Sequence, residues 1–403
     1  MLPGSHKKLK VLMVNYEFPP IGGGGGTTTR FLAKYMVRLG ADVNVITSKP
    51  GKDDYIDHPE GYRIYYVGPT KNKLSGTHIP ELARFALTMI YYSKSVLKTI
   101  QPDIIHCFFT LPSGSFGLFC KKFCNIPYVV STLGADVPGF SIGDWRLDVY
   151  HTFTKFISKS IWDNSSAVVA NSKSLHDTCK IFAPEDDIGI ITNGVDTDLF
   201  YPPANKKTTN EVNILFVSRL MLQKGVDTLI KSCNALKERG ITNFRLTIVG
   251  EGHLKEMMFS LIDKFNLGKY IDFLGWRDLE QLPEIYRNAD IFILPSVMEG
   301  MSSVTLQAMA SGLPIVASRV KGFEEILEEN VNGFMADYKN EQQFADALEK
   351  LIKSPELRQK MSQKSIEKSK QFSWERISRQ YMEYYEKALN IKKTEKELLY
   401  LKK

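Results

Sequence analysis

Lys10 to Thr47 reads KVLMVNYEFPPIGGGGGTTTRFLAKYMVRLGADVNVIT. Lys10 to Asn15 is a short apolar run of strand character. Pro19-Pro20 and five glycines, Gly22 to Gly26, come next. From Thr27 to Leu39, Phe31, Leu32, Tyr35, Met36 and Leu39 recur at helical spacing. Gly40 stops that helix, and Val43–Thr47 makes the following strand. A strand, loop, helix and strand in this order predict a parallel sheet covered by helices, because a parallel return needs a crossover. The rhythm continues through strands at Ile64–Val67, Ile104–Cys107, Tyr128–Ser131 and Ala167–Ala170. A long helix from Pro80 and another near Ser115–Cys124 lie between them.

Phe200 to Val212 (FYPPANKKTTNEV) is polar, carries two prolines and lacks periodicity, so it reads as a linker. A second alternating set follows. Its strands are expected at Asn213–Val217, Arg245–Val249, Ile271–Leu274, Ile291–Leu294 and Ile315–Ala317. Its helices are expected at Gly225–Arg239, His253–Phe265, Leu279–Asn288 and Thr305–Ser311. Helical segments Phe344–Ile352 and Trp374 to about Asn390 close the chain, the latter with Ser373 as N-cap. The fold class is therefore α/β. The expected organisation is a doubly wound domain over 7–199, a linker over 200–212, a second doubly wound domain over 213–372, and a helix with a basic tail over 373–403 that crosses back to the first. Met1 to His6 (MLPGSH) read as a cloning remnant. Two such domains facing a central cleft would bind ligands at the carboxyl ends of their strands.

Composition narrows the function classes. The 403 residues are 43% hydrophobic and 24% charged, the balance of a globular enzyme and not of a disordered chain or a fibre. The most apolar stretch, Ile79 to Ile100, carries Glu81, Arg84, Lys94 and Lys98, so no spanning helix of roughly 20 apolar residues is expected. The net charge is +7. Residues 1–199 hold 21 basic and 18 acidic side chains, and Glu386 to Lys403 holds six Lys against three Glu. No basic block interleaves with aromatics, which argues against nucleic acid. A peripheral contact with anionic lipid at the inner face of the membrane is one expectation, through this tail and the helix near 80–98. The other is that the helix simply packs on its own domain. Of the five cysteines, Cys120 and Cys124 lie four apart, with no second pair at zinc spacing, so reduced, packed thiols are expected. No secretory leader is read before the first strand, and the protein is expected to be cytoplasmic.

Three segments carry residue types suited to binding a phosphorylated ligand. Gly22, Gly23 and Gly24 lie between a strand and a helix, where glycine allows close backbone approach and a helix N-terminus favours an anion. A flexible loop with no ligand is the other reading. A dinucleotide site fits less well: Phe18-Pro19-Pro20 intervene, and the next strand ends in Thr47-Ser48 without an acid. Arg219 and Lys224 flank the start of a helix after the strand Asn213–Val217, a setting for a diphosphate or for two solvated cations. Pro295 to Ser303 (PSVMEGMSS) follows a buried strand. There the amides of Gly300, Met301, Ser302 and Ser303 would face an anion or a sugar hydroxyl, Glu299 would supply a carboxylate, and the helix beyond contains Gln307. Helix capping is the alternative for these residues. Gly250, in Gly250-Glu251-Gly252, is either a turn residue or part of the same site.

These segments resemble the retaining GT-B glycosyltransferases, in particular glycosyltransferase family 4 (glycosyl transferases group 1). The matching stretches in the second half are FVSRLMLQKGVDTLI (216–230), LTIVGEG (246–252), IDFLGW (271–276), ADIFILPSVMEGMSSVTLQAMASGLPIVAS (289–318) and VNGF (331–334). In the first half, FPPIGGGG (18–25), PDIIH (102–106), SKSL (172–175) and ITNGVDTDLF (191–200) also fit. The resemblance implies the GT-B fold, a nucleotide-diphosphate-sugar donor held mainly by the C-terminal domain, and a glycan, lipid-linked or small-molecule acceptor on the N-terminal one. It implies Arg219, Lys224 and Glu299 as catalytic residues. Donor binding would fall to Gly22, Gly23, Gly24, Arg219, Lys224, Gly250, Glu299, Gly300, Met301, Ser302, Ser303 and Gln307, with Asp136 an acceptor-side or structural group.

Two departures stand out. The family's second glutamate, which holds the ribose hydroxyls, falls on Gln307, whose amide oxygen accepts a hydrogen bond without charge. A His or Arg of many relatives falls on Leu133, which cannot hydrogen-bond. The expected reaction is transfer of a hexosyl group with retention, the leaving diphosphate helping to take the acceptor's proton, with domain closure and no metal or other cofactor. Two other readings are a non-catalytic sugar-binding partner subunit and a nucleotide-sugar epimerase. Release of nucleotide diphosphate, or interconversion of the sugar without an acceptor, separates them.

Overall fold

The computed structural model describes residues 8–68, 79–140, 145–204 and 210–401. The chain divides into two compact units, one of 1–193 with 374–403 and one of 194–373. Part of the expected linker, residues 205–209, and residues 1–6, expected to be a cloning remnant, lie outside the described residues.

Unit 1 contains an eight-stranded sheet. Its strands are β1 (Lys10–Val14), β2 (Asp42–Ser48), β3 (Tyr55–Asp57), β4 (Arg63–Val67), β5 (Ile104–Phe108), β6 (Tyr128–Thr132), β7 (Ala167–Ala170) and β8 (Ile188–Ile190), in the order β3-β4-β2-β1-β5-β6-β7-β8. Every pairing is parallel except the edge pair β3–β4. The continuous apolar run in β1 follows from cover on both faces: Val11 to Val14 are fully buried. Helices Ile79–Ile100, Gly114–Cys124, Trp145–Asp163 and Lys173–Phe182 close a core over one face. Against helix Gly24–Arg38 packs the C-terminal helix, Trp374–Leu401, with Trp374 stacked on Phe31 at 6.1 Å between ring centres. The last helix is also tied to the sheet by polar groups. His106 on β5 bonds Tyr385 at 2.6 Å and Ser131 at 2.7 Å, and Ser131 bonds Tyr381 at 2.9 Å.

Unit 2 contains β9 (Val212–Val217), β10 (Phe244–Val249), β11 (Ile271–Gly275), β12 (Ile291–Leu294), β13 (Ile315–Ser318) and β14 (Gly333–Ala336). They form one parallel sheet in the order β11-β10-β9-β12-β13-β14. This order reverses direction between β9 and β12, which makes the ends of those two strands the switch point of a doubly wound sheet.

Several expectations change. Helix Gly24–Arg38 begins three residues earlier than the apolar periodicity indicates, so Gly24, Gly25 and Gly26 are its first turn and not a loop. Helix formation there relies on packing, because glycine is a poor helix former. Phe200, expected to start a linker, is buried in unit 2 edge-on to Tyr286 at 5.5 Å. Helix Pro355–Ser369, which has a weakly amphipathic sequence, goes unread at the level of periodicity, as do helix Trp145–Asp163 and the edge strand β3. All five cysteines are free and four are buried. Burial pushes the thiols of Cys107 and Cys120 well above their ordinary range.

Candidate functional site

The unit 2 site is built on glycine-mediated contacts between main chains. Beyond β9 the chain makes a short helical turn, Leu222–Lys224, and then enters helix Val226–Glu238 through Gly225 at φ +66°. A Cβ on Gly225 would lie 1.9 Å from the carbonyl oxygen of Pro295, just past β12. Only glycine permits that approach. The same two loops are joined by Val297 N–H donating to Gln223 O at 2.8 Å and by the Gln223 side chain donating to Met298 O at 3.4 Å. Gly250 (φ +135°) rests likewise on Ser218 O, and Gly322 on the carbonyls of Glu299 and Gly300.

This frame places Lys224 against Glu299. The ammonium donates to Glu299 Oε1 at 2.5 Å, and Ser296 Oγ donates to the same oxygen at 2.8 Å. Both partners are largely shielded, with Lys224 15% and Glu299 9% exposed. Two groups from loops 75 residues apart therefore meet at the switch point as a charge-assisted hydrogen bond. Arg219 is exposed and forms no ion pair among the described residues. Ser302 is the N-cap of helix Ser303–Ala310 without a side-chain cap of its own, and its hydroxyl instead accepts from Thr305 at 2.9 Å. Gly300, Met301, Ser302 and Ser303 thus lead into a helix N-terminus whose first amides have no intrahelical acceptor. The arrangement offers an anion a free guanidinium, the remaining N–H donors of Lys224 and these amides. Glu299 Oε2 remains an acceptor for hydroxyls.

Gln307 is buried. Its Oε1 lies 3.2 Å from the hydroxyl of Tyr286, which also lies 3.1 Å from Val304 O. Its amide oxygen, expected to face a ribose, is therefore turned to Tyr286. That leaves one lone pair of the oxygen and the NH₂ group for a ligand. Gly250 sits under Ser218 as a packing residue.

In unit 1 the glycines separate into two kinds. A Cβ on Gly25 would strike Phe109 at 2.7 Å and Leu133 at 3.2 Å, and one on Gly26 would crowd the Phe18 backbone. These two glycines are needed for packing, and Leu133 packs against the first turn at Gly25. Gly23 and Gly24 are exposed and face open space. Gly22 (φ +96°) lies against the side chain of Glu17, and Glu17 Oε2 accepts from Gly23 N–H at 3.3 Å. A carboxylate of the chain itself thus sits at the glycine segment expected to meet an anion.

Asp136 is buried, and both of its oxygens are engaged. Oδ2 accepts from Thr110 N–H at 2.8 Å and from its hydroxyl at 3.2 Å. Oδ1 accepts from Leu133 and Gly134 N–H, each at 3.0 Å. Burial pushes this carboxyl up, and the backbone donors pull it back. Of the two roles expected for Asp136, the structure supports the structural one: it clamps the loop after β6 to the loop after β5. Sequence reasoning missed Ser296, Gln223, Tyr286 and Gly322. Ser296 could have been suspected from its place three residues before Glu299. The other three had no local signal.

Family comparison covers nearly the whole chain. Residues 22–199 match the model of Glycosyltransferase Family 4, and residues 199–368 match that of Glycosyl transferases group 1. The chain belongs to the GT-B glycosyltransferases. One relative, the D-inositol 3-phosphate glycosyltransferase of Corynebacterium aurimucosum, is 28% identical over 93% of this chain and 94% of its own length. In fold, this glycosyltransferase is similar to the sucrose-phosphate synthase of Thermosynechococcus elongatus. The TM-score is 0.81 at 21% identity, over 95% of this chain and all of that one. It is also similar to the Anabaena HepE protein solved with UDP and glucose, at a TM-score of 0.70 and 18% identity over 93% of this chain and 98% of that one. Lys224, Glu299 and Gln307 all lie within the group 1 match.

Proposed function

We propose that this glycosyltransferase moves a hexosyl group from a nucleotide-diphosphate sugar to an acceptor hydroxyl, with retention at the anomeric carbon and without a metal ion. The observation that carries the reading is the Lys224–Glu299 pair at the switch point of unit 2, with Arg219 exposed nearby in sequence. Arg219 and Lys224 would take up the charge that grows on the diphosphate as the bond from the anomeric carbon to its oxygen breaks. The bond to the acceptor oxygen forms on the same face, and the acceptor's proton passes to the departing phosphate oxygen. Glu299 holds hydroxyls of the transferred sugar, and the amides around Gly300 to Ser303 assist at the phosphates. The acceptor is assigned to unit 1, and Gly22, Gly23 and Gly24 keep the donor role expected of them, Gly23 and Gly24 being open to a ligand. The setting is glycan, glycolipid or polysaccharide synthesis.

The experiment is a matrix of UDP-, GDP- and ADP-sugars against hydroxylated acceptors, with a chelator present. D-inositol 3-phosphate, named by one relative, is an early choice. Product is read by nuclear magnetic resonance at the anomeric proton. An α-linked product from an α-linked donor supports the reading. An inverted product, or turnover abolished by the chelator, refutes retention or metal independence respectively.

A further inference from the structure

Helices Ile79–Ile100, Gly114–Cys124 and Trp145–Asp163 lie side by side over one face of the unit 1 sheet. Their inner sides are core, with Phe85, Met89, Phe116 and Trp162 buried. Their outer sides are unusual. On Trp145–Asp163, Val149, Phe153, Phe156 and Ile157 form one stripe at helical spacing, with Phe153 79% and Phe156 77% exposed. Leu87 and Tyr91, one turn apart on the first helix, are 69% and 80% exposed, and Phe123 at the end of the middle helix is 74% exposed. Scattered apolar residues on a surface need no explanation, but a shared face of large ones does.

Charge supplies the second observation. These three helices hold eight Lys or Arg against three Asp or Glu, so their net +5 accounts for most of the chain's +7. Arg84, Lys94, Lys98, Lys122 and Lys155 are exposed. Lys155 forms no ion pair among the described residues, and its ammonium lies 5.1 Å from the ring centre of Phe156. The centre of a protein–protein interface is depleted of charge. Here exposed cations share the three helices with exposed apolar side chains, the composition of a surface that lies on anionic lipid. The sequence offered lipid contact through the helix near 80–98 and the tail as one reading, and packing of that helix on its own domain as the other. Phe85 and Met89 of that helix instead face the core, and the tail's side chains beyond residue 390 lie outside the described residues.

We propose that this three-helix face docks unit 1 on a bilayer carrying anionic lipid, with Phe153 and Phe156 entering the headgroup layer and the surrounding lysines meeting lipid phosphates. The proposal is independent of donor chemistry and is tested without donor. The full chain is floated with vesicles of phosphatidylcholine alone or mixed with phosphatidylglycerol. Binding is expected only with phosphatidylglycerol, and is lost as salt rises. Lys94→Gln, Lys98→Gln and Lys155→Gln together should weaken partitioning about 100-fold, or about fivefold per lysine. Phe153→Ser with Phe156→Ser should weaken it at least about tenfold. Melting curves report folding, and if the serine variant melts early the glutamine variant decides alone. The proposal fails if the wild-type chain ignores anionic vesicles at low salt, or if the glutamine variant binds them undiminished. It also fails if Phe153→Ser with Phe156→Ser abolishes a dimer while vesicles are never bound, which would assign the face to a second copy of the chain.

Discussion

Lys224 and Glu299 each hold the other's charge, so under the proposed function the site would discriminate by exchange of partners. A diphosphate that takes a hydrogen bond from Lys224 competes with Glu299 Oε1, while a sugar hydroxyl can satisfy the carboxylate in return. A ligand with both parts is therefore favoured over one with phosphates alone. Glu299→Gln removes the competitor but also the charged acceptor. The expected result is that UDP or GDP binds about fivefold tighter by calorimetry, while turnover of the matching nucleotide sugar falls about 100-fold or more. Undiminished turnover of the nucleotide sugar, or unchanged affinity for the bare nucleotide, would show that the pair is not exchanged. At this scale the sequence singled out residues and was silent about their partners. Arg219, Lys224, Glu299 and Gln307 were legible from spacing and resemblance. That Lys224 meets Glu299, or that Gln307 Oε1 meets Tyr286, depends on loops brought together only by sheet order.

The elements make two sharper statements. Gly225 joins a helical turn to helix Val226–Glu238 in a left-handed conformation, with Pro295 O where a side chain would begin. Gly225→Ala adds backbone strain to a main-chain clash, and should cost at least about 3 kcal/mol in urea unfolding of unit 2. A loss under 1 kcal/mol would mean that the two loops move apart freely. The link between β5 and the last helix is pH-sensitive. Burial lowers the His106 pKa from 6.5 to about 3, so the ring stays neutral between Tyr385 and Ser131 in the folded chain. Above pH 6.5 the ring is neutral in both states, and its contribution to stability is constant. Between pH 6.5 and about 3 the unfolded chain takes up a proton that the folded chain refuses, so stability falls as pH drops, by about 1.4 kcal/mol per unit. His106→Gln should flatten the stability profile by that one proton. Equal slopes in the two proteins would remove His106 from the account. The N-cap signal at Ser373 placed the start of helix Trp374–Leu401 correctly, but no local pattern revealed that His106, in the middle of an apolar strand, is a hydrogen-bonded core residue.

At the scale of the molecule, unit 1 is made from two separate pieces of chain. Trp374, Ile377, Tyr381, Tyr385 and Ala388 are buried in it. At about 1.5–3 kcal/mol for a large buried side chain, their removal exceeds what a domain of ordinary stability can lose. A chain ending at Ser373 should therefore keep the calorimetric transition of unit 2 and lose that of unit 1. Survival of both transitions would refute this dependence. Parallel sheets and doubly wound order were legible because buried strands and amphipathic helices leave periodic marks. The edge strand β3 and the weakly amphipathic helix Pro355–Ser369 leave faint ones. A further consequence comes from the way the unit 2 frame is joined. At Gly225, Gly250 and Gly322 main chain rests on main chain, so the scaffold of the pocket is almost independent of the side chains that decorate it. Variation at neighbours such as Val297, Met298 and Met301 then leaves the loops that carry Lys224 and Glu299 in register, so under the proposed function sugar preference is free to change without rebuilding the frame.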